Sequence, residues 1–243
     1  ILKGLNSEWM ASCLNLIEES YGIGFDIGNP SVNAINVVFE NDSSSSTLAS
    51  VSHSYNSATG KASSLTLTIN MHYYNNLDTT SLDGDSQNAG AGFLDRTLAH
   101  EFTHAAMAAN IDHFSQLPAY IKEGTAELVH GIDDFRTARI AKLASTDGVD
   151  TLRKIFDANS TSTGGVTGVD AADHYAAGYL FLRYVAKQSA GEAADSSLYE
   201  TKDENGHWQE VQYDFSKSLV ASSIMLQTGT RANQGIKINL RDM

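Results

Sequence analysis

GFLDRTLAHEFTHAAMAAN, residues 92–110, decides how the rest of the chain is read. Its apolar residues Phe93, Leu94, Leu98, Phe102 and Ala105 recur at helical spacing, so an α-helix with one face against a core is expected. Inside it, His-Glu-Phe-Thr-His sets two of the chain's eight histidines four residues apart. One helical turn is about 3.6 residues, so His100 and His104 project from the same face, one above the other. Two imidazoles placed in this way can hold one metal ion. Glu101 lies at the edge of that face, beside one ligand yet poorly placed to bind the same ion. The competing reading is a pair of ordinary core histidines.

A catalytic zinc keeps three protein ligands and leaves a corner for water. The next helix offers the third in KEGTAE, where Glu123 follows His104 after eighteen intervening residues. That gap suits a helix end, a turn and an antiparallel return, which would face the carboxylate toward the imidazoles. Zinc lowers the pKa of a bound water to about 7 and polarises a carbonyl. Glu101 can then take the water's proton and hand it to the leaving amine. Glu127 lies one turn beyond Glu123. It is read either as an acceptor for the free N–H of His100 or as a solvated neighbour at i,i+4.

Composition limits the alternatives. The chain has 243 residues, 42% hydrophobic and 19% charged, enough for one sizeable domain or two packed lobes. Its formal charge is −13, which opposes a nucleic-acid partner because phosphates would be repelled. No apolar run reaches membrane-spanning length, so no membrane partner is expected. A single cysteine, Cys13, excludes an intrachain disulfide and a thiolate metal cluster. The start, ILKGLNSEWM, has neither an initiator Met nor a signal-peptide pattern, and the chain is expected to be an excised piece of something longer.

The remaining elements are read from periodicity. Residues 7–22 suggest a helix with Ser7 as N-cap and Gly22 as stop. AINVVFEN suggests a strand, and residues 48–71 a hairpin turning at Gly60. Residues 75–92 read as a polar loop. Asp83 and Asp85 hint at calcium there, but an acid twelve positions in is missing, so calcium is unsupported. Helices are expected from Pro118 to Gly131, through DDFRTARIAKLAS, and over about 171–188; a hairpin is expected around Asn205-Gly206. Strands come first and helices later, the order of an α+β domain. His113 and His130 match no ligand pattern and are read as structural; His53, His72 and His207 carry no signal.

HEFTH followed by IKEGTAEL resembles the gluzincin metallopeptidases, the class that includes thermolysin and the aminopeptidases. The metzincin pattern would need Gly at 107 and a histidine at 110, where this chain has Met107 and Asn110. The resemblance implies zinc ligands His100, His104 and Glu123, and it supports the role of Glu127. HYAAGYLFLRYV resembles the Tyr-x-x-Gly segment of aminopeptidase-type gluzincins, which implies Tyr175 as the hydroxyl donor to the transition state, with His174 as runner-up. The tail, LQTGTRANQGIKINLRDM, resembles a rod segment of bacterial flagellins, with Ile236, Ile238 and Leu240 alternating. Together these motifs resemble the flagellinolysins, flagellins carrying an inserted gluzincin peptidase.

That resemblance implies an α+β, thermolysin-like architecture: a mostly antiparallel N-terminal sheet with the active-site helix, then a helical subdomain. The expected peptidase domain spans 1–225, divided near residue 112, and a flagellin-like segment spans 226–243. One catalytic zinc, a protein or peptide substrate, flagellin subunits as partners and an extracellular place on the flagellar filament are implied. Residues 64–70 are the expected edge strand for substrate. The rivals are a catalytically silent structural or adhesive flagellin insert that still binds metal, and a metallohydrolase acting on a non-peptide bond.

Overall fold

The computed structural model describes residues 1, 4, 5, 9–78, 84–86, 88, 91–130, 133–190, 200–202, 208–210, 223–227 and 235–239. The chain is α+β and divides into two compact units, Ile1–Leu117 and Pro118–Met243.

In the first unit, helix α1 (Met10–Tyr21) ends where Gly22 turns left-handed at φ 64° and returns its N–H to the Glu18 carbonyl. The expected cap, Ser7, lies outside the described residues. Strands β1 (Asn36–Glu40), β2 (Ala49–Tyr55) and β3 (Ala62–Asn70) form one sheet in the order β1-β3-β2. β2 and β3 make the expected hairpin, with Gly60 at φ 67°.

Two expectations about this sheet are corrected. It is mixed rather than mostly antiparallel, because β1 runs parallel to β3 while β2 runs against it. β3 is its central strand, and Thr66–Ile69 within the expected 64–70 edge have strand partners on both sides, so that stretch cannot serve as the substrate edge. Asn70 supplies the local reason. Buried at the end of β3, it accepts from the Asp42 N–H and donates to the carbonyls of Asp42 and Thr47. The chain leaving β1 is thereby pinned across the end of β3 before it returns as β2.

A short helix α2 (Met71–Tyr74) follows, and then α3 (Leu94–Asn110) packs on α1, β2 and β3. Leu65, Leu67 and Ile69 of β3 are fully buried, as are Leu94, Leu98, Phe102 and Ala105 of α3. Each of the leucine, isoleucine and phenylalanine side chains contributes about 1.5–3 kcal/mol of apolar burial. At the end of α3, Asn110 donates to the carbonyls of Ala106 and Gly24 and accepts from the Asn29 N–H. The position where a metzincin would carry a ligand thus closes a helix instead.

In the second unit, α4 (Ala119–His130) opens after Pro118 as expected, followed by α5 (Asp133–Leu143), α6 (Val149–Ala158) and α7 (Ala171–Ala190). α6 was not anticipated, although its buried Leu152 and Ile155 have helical spacing. The core gathers Tyr120, Ile140, Leu143, Ile155 and Phe181, with Tyr120, Phe156 and Phe181 stacking edge-on or tilted at 4.9–5.7 Å. α4 crosses α7 in backbone contact at Gly124 and Gly178, where a Cβ on Gly178 would stand 1.8 Å from the Tyr120 carbonyl oxygen. β4 (Glu200–Lys202) pairs antiparallel with β5 (Trp208–Glu210), the expected hairpin, whose Asn205-Gly206 tip lies outside the described residues. β6 (Ser223–Gln227) and β7 (Gly235–Asn239) form another; β7 includes Ile236 and Ile238, while Leu240 is outside the described residues. No described helix is long and apolar enough to cross a membrane.

The start of α7 carries a pH-dependent contribution. Asp170 accepts from the Ala172 N–H at 2.9 Å, which, with the nearby Arg139 guanidinium, holds its carboxyl below the ordinary 3.8. A lowered carboxylate pKa stabilises the fold above the unfolded value, and that contribution is lost as pH falls through the folded one. Asp170→Asn is expected to flatten the fall of Tm below pH 4. Parallel melting curves for both proteins from pH 7 down to 3 would refute the assignment.

Candidate functional site

His100 and His104 project from one face of α3 with their Nε2 atoms 3.1 Å apart and their rings inclined at 82°. Two nitrogens bound to one tetrahedral zinc, each at about 2.0–2.1 Å, stand about 3.3 Å apart. The pair therefore has chelating separation before any ion is considered. Both side chains are half-buried. The packing around them is specific. Phe114 stands 6.5 Å from the His104 ring and 5.7 Å from His53 of β2, edge-on to the latter. His53 carried no signal in the sequence, because only the turn of the chain after α3 puts Phe114 between it and the helix.

Glu101 is buried, at 9% exposure, on the same helix. Beneath the helix lies Tyr74, 1% exposed, whose hydroxyl shares a 2.7 Å hydrogen bond with Thr97. Burial above all, with the negative charges of Glu101 and Asp95, pushes its phenol up to about 12 against the Thr97 bond. Tyr74 thus stays protonated near the Glu101 carboxylate. The four-residue α2 that delivers it was invisible to periodicity. Cys13 is also buried, and burial followed by the Asp95 charge raises its thiol to about 12.

The second unit carries the other expected residues. Glu123 is half-buried on α4, next to Lys122, whose ammonium donates to the Thr161 carbonyl. Glu127, one turn on, is 4% exposed, which removes the solvated reading. Its Oε1 faces Arg136 Nη2 at 3.4 Å and its Oε2 faces His130 Nε2 at 3.8 Å. Arg136 also lies over the ring of Tyr175, 4.5 Å from the centroid. His174 is 0% exposed, and among the described residues neither ring nitrogen has a hydrogen-bond partner. Burial lowers its pKa, opposed by the charges of Asp173 and Glu123. An enclosed, neutral imidazole is poorly placed to meet a substrate, whereas Tyr175 is half-buried.

His113 adopts a left-handed φ of 54°, donates its N–H to the Thr59 carbonyl and closes against Gly60, so its part is structural. Asp83 lies outside the described residues, and the Asp85 backbone pairs with Phe93 in an isolated bridge. His207 is also outside the described residues. Comparison with protein-family models, with curated proteins and with solved structures finds no match to this chain.

Proposed function

We propose that the chain is a zinc-dependent endopeptidase of the gluzincin type, with His100, His104 and Glu123 holding one catalytic ion. The observation that carries the reading is the 3.1 Å separation of the two Nε2 atoms on one helix face, with Glu101 beside them. Bound there, zinc would supply an acidified water and a polarised substrate carbonyl. Glu101 takes the proton from the attacking water on its carboxylate and passes it to the departing amine. Glu127 orients the His100 imidazole through the ring nitrogen that faces away from the ion. Tyr175, rather than the enclosed His174, offers its hydroxyl to the developing oxyanion.

An extended peptide needs an open strand edge. β3 has none, so the reading assigns the substrate backbone to β2, whose His53 reaches toward the zinc helix through Phe114. Internal cleavage is the corresponding reaction, because no set of acids for an N-terminal amine is recognisable. The HEFTH and KEGTAE motifs, with the flagellin-like tail, support an extracellular flagellinolysin-like enzyme displayed on the flagellar filament beside flagellin subunits.

Zinc quantitation on wild type and Glu123→Gln, paired with cleavage of a peptide library, tests this reading. Wild type is expected to hold about one zinc per chain and to cut peptides internally. Losing the carboxylate ligand is expected to weaken metal binding at least ~100-fold, more than the 10–100-fold of an outer-shell change. Wild type that retains zinc and cuts nothing would favour the silent insert; trimming confined to N-termini would replace endopeptidase with aminopeptidase.

A further inference from the structure

α5 meets the start of α7 through two arginines one turn apart. Arg139 donates from Nη1 to Asp173 at 2.5 Å and from Nη2 to Asp170 at 3.3 Å. Asp173 is 6% exposed, so this pair fixes the first turn of α7 against α5. Arg136 makes a different pair of contacts. Its guanidinium covers the Tyr175 ring at 4.5 Å and donates from Nη2 to Glu127 at 3.4 Å.

These contacts join residues from three helices. Glu127 comes from α4, Tyr175 from α7, and the cation between them from α5. A tyrosine side chain turns about two torsions, and a hydroxyl at the far end of a half-buried ring points only as well as the ring plane is held. A guanidinium is planar and stacks on an aromatic face while its remaining N–H groups still donate in their own plane. One side chain can therefore set the Tyr175 ring and partner the enclosed Glu127 carboxylate together. Lysine, a point charge without a fork, could keep the attraction to the ring but not both geometries.

We infer that Arg136 is a positioning residue of the peptidase centre, holding the Tyr175 ring by stacking and the Glu127 carboxylate by a charged hydrogen bond. The inference rests on the proposed peptidase reading and adds α5 to the elements that set its geometry. It acts through Tyr175 and Glu127, and touches neither substrate nor metal.

The test uses the full zinc-loaded chain with Arg136→Ala, Arg136→Lys, Tyr175→Phe and the Arg136→Ala/Tyr175→Phe double variant. Kinetics on a fluorogenic peptide are read beside zinc content, melting temperature and the NMR signal of the Tyr175 ring. That signal comes from ring-13C-tyrosine labelling and is assigned by its loss in Tyr175→Phe. Arg136→Ala is expected to lower kcat about 10- to 100-fold, since a small misplacement of a catalytic group costs that much. KM and zinc content should stay within about twofold. Arg136→Lys should recover part of kcat. In the Tyr175→Phe background, Arg136→Ala should cost clearly less than it does alone, because the hydroxyl it positions is gone and only the part acting through Glu127 remains. The ring signal should move with Arg136→Ala and move less with Arg136→Lys. Losses that multiply in the double variant would overturn the inference, as would an unmoved ring signal at any level of activity. A wild type that cuts nothing while its ring signal still moves would sink the peptidase reading and leave the arginine stack supported.

Discussion

Glu101→Ala is expected to keep its zinc and lose peptide cleavage by about 10³-fold or more. General acid–base help from a placed side chain contributes ~10²–10⁴-fold. The same carboxylate is asked to serve twice, on the attacking water and on the leaving amine, so the loss should fall toward the upper end. Metal should remain, because Glu101 adjoins His100 and is read as no ligand. The fold should remain as well. Alanine is the best helix former, and the substitution removes a buried charge, 9% exposed, from the core side of α3. Loss of the charge near Tyr74 also removes one of the influences that raise its phenol, without breaking its bond to Thr97. Zinc content and kcat measured on the same preparations decide the matter. Equal cutting by both proteins would take Glu101 out of the mechanism, and loss of zinc would make it a ligand instead.

Gly178→Ala is expected to destabilise the protein by about 3 kcal/mol or more, against the usual sign for a helix interior. Exchanging glycine for alanine there ordinarily gains up to about 1 kcal/mol. Here the added methyl would stand 1.8 Å from the Tyr120 carbonyl oxygen and 2.8 Å from the Gly124 Cα. Both obstacles are backbone, so no rotamer change relieves the clash and the two helices must separate. Overpacking of this kind costs ~1–3 kcal/mol and sometimes more, and separation also opens the core around Tyr120 and Phe181. For a chain of this size, the Tm should fall by roughly 6–12 °C. Gly124→Ala, with its Cβ 2.3 Å from the Gly178 carbonyl carbon, should behave alike. A Tm unchanged or raised in both variants would show that the helices do not touch at this crossing.

That crossing gives a physical meaning to two glycines that the motifs merely contained. KEGTAE and HYAAGY were read for Glu123 and Tyr175, each followed by a glycine, one and three residues on. Gly124 and Gly178 are where α4 and α7 press backbone to backbone. The glycines and the residues read as functional are thus parts of one arrangement, since the crossing fixes how the stretches around Glu123 and Tyr175 meet within their unit. Sequence spacing could name the residues but not the contact.

The same contrast runs through the sheet. Alternation in β3 marked Leu65, Leu67 and Ile69 as a buried face, and all three are buried. Alternation reports which face of a strand is covered and nothing about which strands lie to either side. Residues 64–70 were therefore expected at an edge, and the pinning of residues 42–47 by Asn70 puts β1 where that edge would be. Arg136 was missed for a related reason. It lies on a different helix from both of its partners, and no local pattern links them.

Local periodicity and spacing were enough to determine the α+β order, the helix that carries HEFTH, the face shared by His100 and His104, and Glu101 at its edge. These depend on the pitch of one helix and on apolar repeats within single elements, so a linear string contains them. Tertiary structure alone decided the central place of β3, the enclosure of His174, the glycine crossing and the reach of Arg136 to Tyr175 and Glu127. Each of those depends on which distant segments become neighbours, and that is settled by packing and strand pairing across the whole core.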